Sequence, residues 1–162
     1  MPDDERSEIV VVFGKRGVGK TTYLRHCIAD AYKADVDVWA IDPKAQLLDL
    51  VPDAWTLLDL DTVQDPGPGL LVIDEVDLVA GNGQMHPRIR NWLHYSRHMG
   101  LTIVCCARRV ANVHRDLTAL ADRAICFRTT EPRDLETLAK WLDFDVESLK
   151  TLAVGQYAEV TL

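Results

Sequence analysis

Ile9-Val10-Val11-Val12-Phe13-Gly14-Lys15-Arg16-Gly17-Val18-Gly19-Lys20-Thr21-Thr22 sets a short apolar run directly against the spacing Gly14-x-x-x-x-Gly19-Lys20-Thr21. Glycines let consecutive backbone N–H groups turn inward around an anion, and a helix that follows them points its positive end at the same place. Lys20 adds a full charge that can reach the β- and γ-phosphates of a nucleoside triphosphate, and the Thr21 hydroxyl is a ligand suited to Mg2+. The context this motif needs is present. A strand pattern precedes it, and Tyr23, Leu24, Cys27, Ile28 and Ala31 continue at helical spacing as far as Lys33. The expected cradle is therefore Gly14, Lys15, Arg16, Gly17, Val18, Gly19, Lys20, Thr21 and Thr22, and the expected cofactors are ATP and Mg2+.

The chain has 162 residues, 48% of them hydrophobic, which predicts one domain over 1–162 with a core of its own. Cys27, Cys105, Cys106 and Cys126 lack the paired short spacings of a zinc site and read as small core residues of a reduced, cytoplasmic protein. Met1 to Glu8 is charged and without an apolar core, and no run is long enough to cross a bilayer.

Charge is unevenly spread. The net charge is −7, yet Leu78 to Arg115 contains Arg88, Arg90, Arg97, Arg108, Arg109 and Arg115 and not one Asp or Glu, so this stretch is +6 and the remainder −13. Arginine suits bidentate phosphate contact, so the stretch reads either as a patch for a polyanion or as a solvated face with internal ion pairs.

Apolar runs alternate with helical patterns: strands at 9–13, 36–41, 69–73, 101–106 and 123–127, with helices at 19–33, 87–99, 113–121, 132–141 and 145–152 and a last strand at 157–162. Continuous apolar strands between helices predict a three-layer α/β fold with a mainly parallel sheet. Leu70-Leu71-Val72-Ile73-Asp74-Glu75 ends one strand in two acids, the pattern that places Asp74 near Mg2+ and Glu75 on the attacking water. Asp77, one helical turn on, is the lesser metal candidate. His94 and His98 are four apart, but Tyr95 stands where a zinc protease has its Glu, and no third ligand is evident.

The order of these elements resembles the additional-strand, catalytic-glutamate division of P-loop ATPases. In those proteins the strand after the Asp-Glu pair, here Leu101 to Cys106, inserts beside the phosphate-loop strand and presents a polar sensor to the γ-phosphate. Ile41-Asp42-Pro43-Lys44 is similar to the segment after the second strand of FtsK-type DNA translocases. Ser96-Arg97-His98-Met99-Gly100-Leu101-Thr102-Ile103-Val104, then Arg108-Arg109 and Arg123-Ala124-Ile125-Cys126-Phe127-Arg128, resembles the FtsK/HerA superfamily and the Zot-type phage assembly ATPases. Where those proteins carry a glutamine before an Arg-Pro at the sensor tip, this chain has Arg108, Arg109 and Val110.

The resemblance implies an ATP-hydrolysing DNA translocase, and the absence of a membrane anchor or an added DNA-reading domain selects a viral or phage genome-packaging ATPase. It further implies a ring, hexamer or pentamer, in which an arginine completes a site in cis or across a subunit boundary; Arg97, Arg108 and Arg109 are the candidates. Expected partners are DNA, double-stranded and held without sequence preference, and capsid or portal components, in the host cytoplasm or associated with the virion. Ala80-Gly81-Asn82-Gly83-Gln84-Met85-His86 reads as a flexible loop that, with Arg88 and Arg90, touches the DNA backbone. The alternatives are a Zot-like extrusion ATPase, a P-loop small-molecule kinase, and a nucleotide switch with little turnover.

Overall fold

Five parallel strands and one antiparallel edge strand form the sheet in a computed structural model that describes residues 7–81 and 83–162. Met1–Arg6, most of the charged leader read from the sequence, and Asn82 of the expected DNA loop lie outside the described residues. Strands β1 (Ile9–Phe13), β2 (Val38–Ile41), β3 (Gly69–Ile73), β6 (Leu101–Ala107) and β7 (Arg123–Phe127) run parallel, and β8 (Tyr157–Thr161) returns against β7, in the order β2-β3-β6-β1-β7-β8. The fold is α/β with a mainly parallel central sheet, as the sequence predicts.

The strand after the Asp-Glu pair does insert beside the phosphate-loop strand. β6 lies between β3 and β1, pairing Ile73 with Cys105 on one side and Phe13 with Ala107 on the other. This wedge brings the carboxyl ends of β1, β3 and β6 to one edge, where loops from all three meet.

One face of the sheet buries Phe13, Ile73 and Ile103 against helices α2 (Pro87–Tyr95), α3 (Arg115–Leu120) and α4 (Pro132–Trp141). The other buries Val12, Val72 and Val104 under α1 (Lys20–Lys33) and the apolar residues Leu47 and Val51. Both faces are covered, which is why the strands read as unbroken apolar runs. Each large side chain so buried contributes roughly 1.5–3 kcal/mol; Trp92, Phe13, Leu24 and Ile28 are the main ones.

Several boundaries differ from expectation. β2 starts two residues late because Asp35, at φ 57°, and Val36, whose N–H bonds the Ala31 carbonyl at 2.9 Å, close the exit from α1. α2 stops at Tyr95 rather than Met99: the Leu101 N–H reaches back 2.8 Å to the Ser96 carbonyl, and Gly100 takes φ 65° to allow it. The face of α2 turned to the core buries Ile89, Trp92 and Leu93, and Ser96 just beyond the helix is buried too. Residues 145–152 form a tighter 3-10 helix, Val146–Thr151. Within the expected flexible loop, Ala80–Gly81 (β4) pairs with Gln84–Met85 (β5) as a small antiparallel ribbon, anchored where the His114 N–H bonds the Ala80 carbonyl at 2.8 Å.

Candidate nucleotide site

Gly14 ends β1 where the chain passes so close to β7 that a Cβ here would lie 2.6 Å from the Cβ of Phe127; only glycine fits. Gly19 precedes α1 with φ 112°, a left-handed conformation that glycine adopts freely. Among the described residues no side chain caps α1, and no acid sits in its first turn, so its leading N–H groups and positive dipole end face an open cleft. The loop is held from two sides: the Lys15 N–H donates to the Arg128 carbonyl at 3.1 Å, and the Gly155 N–H to the Val18 carbonyl at 2.9 Å.

The cleft, about 500 Å³, is lined by Arg16, Gly17, Gly19, Lys20, Thr21 and Thr22 from the loop and α1, and by Asp74 and Glu75 from the end of β3. Ala107 and Arg108 at the tip of β6, and Lys44, Gln46 and Val154, complete the wall. Sequence reasoning assigned no role to these last three. Lys44 stood in the quoted Ile41–Lys44 segment, but Gln46 and Val154 carry no motif and arrive only through folding.

Lys20 arches over the loop, its Nζ donating to the carbonyls of Gly14 at 2.6 Å and Lys15 at 2.7 Å. Burial pushes its pKa below the ordinary lysine value, partly opposed by Asp74. An incoming polyphosphate would therefore find an ammonium already placed and only partly compensated. Asp74 is buried, one oxygen accepting the Glu75 N–H at 2.9 Å. Burial raises its pKa, reinforced by Glu75 and Asp42 and offset in part by Lys20. The Asp74 carboxylate and the Thr21 hydroxyl, both from residues lining this cleft, make an all-oxygen donor set, which fits Mg2+ completed by phosphate and water.

Glu75 sits at φ 50°, ψ 53°, a left-handed conformation unusual for a residue with a side chain, and its Oε1 lies 2.5 Å from Lys44 Nζ. Arg108 is exposed at the cleft wall.

The other arginines lie elsewhere. Arg109 turns away, Nε 2.7 Å from Asp134 and Nη2 3.0 Å from Glu131. Arg97 pairs with Asp122 at 2.7 Å, at the start of β7 and hence at the opposite end of the sheet from the phosphate loop. Arg88, expected at DNA, donates to the carbonyls of Leu60 and Val63 and to Asp65, with its guanidinium 5.4 Å above the Trp92 ring. Arg90 is exposed, its Nε 3.9 Å from Asp116. Asp77 is half-buried beside the cleft, one carboxylate oxygen without a partner, and burial raises its pKa.

Residues 6–124 match the model of a family described as AAA domain. The chain belongs to the AAA domain family. Among solved structures, this AAA domain is similar to the genome packaging NTPase B204 of Sulfolobus turreted icosahedral virus 2 in complex with AMP, at 23% identity and a TM-score of 0.81, over 96% of this chain and 92% of that one. It is similar also to B204, the DNA-packaging ATPase of Sulfolobus turreted icosahedral virus, at 22% identity and a TM-score of 0.80, over 99% and 94%. The N-terminal domain of zonular occludens toxin from Neisseria meningitidis shares the fold at 18% identity and a TM-score of 0.53, over 74% and 75%. The search of curated proteins found no match to this chain. Among the described residues no helix is long and apolar enough to cross a membrane.

Proposed function

We propose that this AAA domain hydrolyses ATP to move DNA, as a ring-forming genome-packaging motor. The observation that carries the reading is the cleft itself: a phosphate loop with its lysine, faced across about 500 Å³ by Asp74, Glu75 and Arg108. The likeness of nearly the whole chain to packaging NTPases adds support at the level of fold.

In the mechanism, the loop N–H groups and Lys20 hold the triphosphate, and Arg108 takes charge at the γ end. Glu75 orients a water against the γ-phosphorus. As the new P–O bond forms, a water proton passes to the Glu75 carboxylate and the bond to the β–γ bridging oxygen breaks, its electron pair leaving with ADP. Thr21 and Asp74 would hold Mg2+, which would supply positive charge to offset that of the polyphosphate. The acid pair favours water over an organic acceptor, which sets this reading above a small-molecule kinase.

DNA would meet the exposed cations, Arg90 and Arg115 first, with Arg108 also the candidate for completing a neighbour's site. The test is ATPase rate against protein concentration, with and without duplex DNA. A ring-completed site predicts a specific activity that climbs with concentration and with DNA; a flat rate indifferent to DNA would falsify the motor reading.

A further inference from the structure

The nucleotide cleft opens sideways. Gly19, Thr22 and Val154 line it and also line a second cavity, of about 650 Å³, between α1 and the strands β7 and β8. The two spaces therefore meet beside the start of α1. Next to that junction the second cavity is aromatic: Tyr23 from α1, Phe127 from β7 and Tyr157 from β8 cluster with ring centroids 5.2 Å to 6.2 Å apart. Phe127 borders Gly19, where a Cβ would come 3.3 Å from its ring, and Tyr157 remains 45% exposed.

Val154 is apolar yet 73% exposed, and the turn that carries it is pinned. The Gly155 N–H donates to the Val18 carbonyl at 2.9 Å, and the Ala153 N–H to Gln156 Oε1 at 2.9 Å. An apolar side chain fixed at the junction is suited to cover the ribose and one flank of a base whose phosphates lie in the loop. Aromatic rings beyond it offer stacking, which every base accepts.

The groups that could read the edge of such a base are Thr22 and His26, both exposed and unpartnered among the described residues. A hydroxyl donates and accepts, and a neutral imidazole has one nitrogen of each kind. Neither separates adenine, which presents an amino donor at C6, from guanine, which presents a carbonyl acceptor there. A carboxylate could select guanine by accepting its ring and amino N–H groups. Asp30 is the carboxylate α1 contributes to this cavity, but it stands about 12 Å along the helix from Thr22 and 3.5 Å from Lys33. Arg123, at the far end, is matched by Glu8 and Glu159.

We propose that this side cavity is the base subsite of the nucleotide site, and that it holds the base by stacking and apolar cover without selecting between purines, so that ATP and GTP are both substrates. The proposal rests on the nucleotide-hydrolysing reading and widens its substrate class to purine nucleoside triphosphates.

Calorimetry with Mg2+ present compares ATP, GTP and inorganic tripolyphosphate on the wild-type chain, on Val154→Asp and on Tyr157→Ala. In the wild type, ATP and GTP should agree within about tenfold, both in affinity and in the rate of phosphate release. In each variant both nucleotides should bind about tenfold more weakly or worse, the loss expected when one stacking or covering surface is removed. Tripolyphosphate has no base and should bind all three proteins alike, so a misfolded variant cannot produce this pattern. If Tyr157→Ala unfolds, Val154→Asp, at an exposed position, carries the test alone. A preference for either purine greater than about tenfold overturns the tolerance, and nucleotide affinities that Val154→Asp leaves unmoved overturn the subsite; in both cases the hydrolysis reading stands. Failure of ATP and tripolyphosphate alike to bind the wild-type chain overturns that reading together with the proposal.

Discussion

Arg109 closes on Asp134, its Nε 2.7 Å from a carboxylate on a residue only 2% exposed, while its neighbour Arg108 opens into the nucleotide cleft. Two adjacent arginines at a strand tip thus have opposite duties. Asp134 also accepts the Ala111 N–H at 3.1 Å, so the pair fastens the loop after β6 to the first turn of α4. Arg109→Ala would leave a buried charge half-satisfied and should cost about 2 kcal/mol, discounted because the arginine is partly exposed. Nucleotide affinity should hardly change. Arg108→Ala should do the reverse, preserving the denaturation midpoint and slowing turnover; urea titration beside a phosphate-release assay separates them.

Lys20 and Glu75 divide binding from chemistry. Lys20→Ala removes the ammonium seated on the loop carbonyls and should abolish detectable ATP binding in calorimetry. Glu75→Gln should bind ATP and lower the rate of phosphate release by about 100-fold or more, the usual reach of a general base. Retained binding in the first variant, or retained turnover in the second, removes the assignment concerned.

Arg88 and Arg90 are two residues apart but face different surroundings. Arg88→Ala strips hydrogen bonds from the Leu60 and Val63 carbonyls and a cation from Trp92, so a loss of about 2 kcal/mol in unfolding free energy is expected. Arg90→Ala should leave stability alone and reduce the stimulation of ATPase by duplex DNA, with a shallower salt dependence of that stimulation. Unaltered stimulation across a salt series would take Arg90 out of the DNA surface.

Asp65 gives a pH signature. The Trp92 indole N–H first, and then Arg88, hold its carboxyl below the ordinary aspartate value. A depressed folded-state pKa contributes stability that is complete above the unfolded value and disappears as pH falls through the folded one. The stability gap between wild type and Asp65→Asn should therefore be widest near neutrality and shrink in acid below the usual carboxylate range. Denaturant titrations at the two pH values measure it, and a gap that stays constant rejects the linkage.

The phosphate loop was legible because its chemistry is local: an apolar run, glycines at fixed offsets and a lysine all lie within Ile9 to Thr22. Asp74 and Glu75 were legible for the same reason, at the end of one apolar strand. The directions of the arginines were not. Leu78 to Arg115 contains no acid, but its partners come from outside it, Asp65 for Arg88, Asp122 for Arg97, and Glu131 with Asp134 for Arg109. A count along the chain sees a patch, whereas the folded surface has much of that charge neutralised. The contact between Lys44 and Glu75 spans β2 and β3 and needed their parallel register to appear.

Packing the sheet also silences its sulfur chemistry. Cys105 and Cys126 are enclosed and pushed up to about 12, and Cys106, beneath Lys20, is driven well above the ordinary thiol value as well. Thiolates are the reactive form, so an alkylating reagent should modify these positions only during excursions that separate β6 and β7 from their neighbours. The native chain thereby carries its own clock for strand opening, readable by mass at each cysteine, and a ligand that clamps the loop above Cys106 should make that clock run slow.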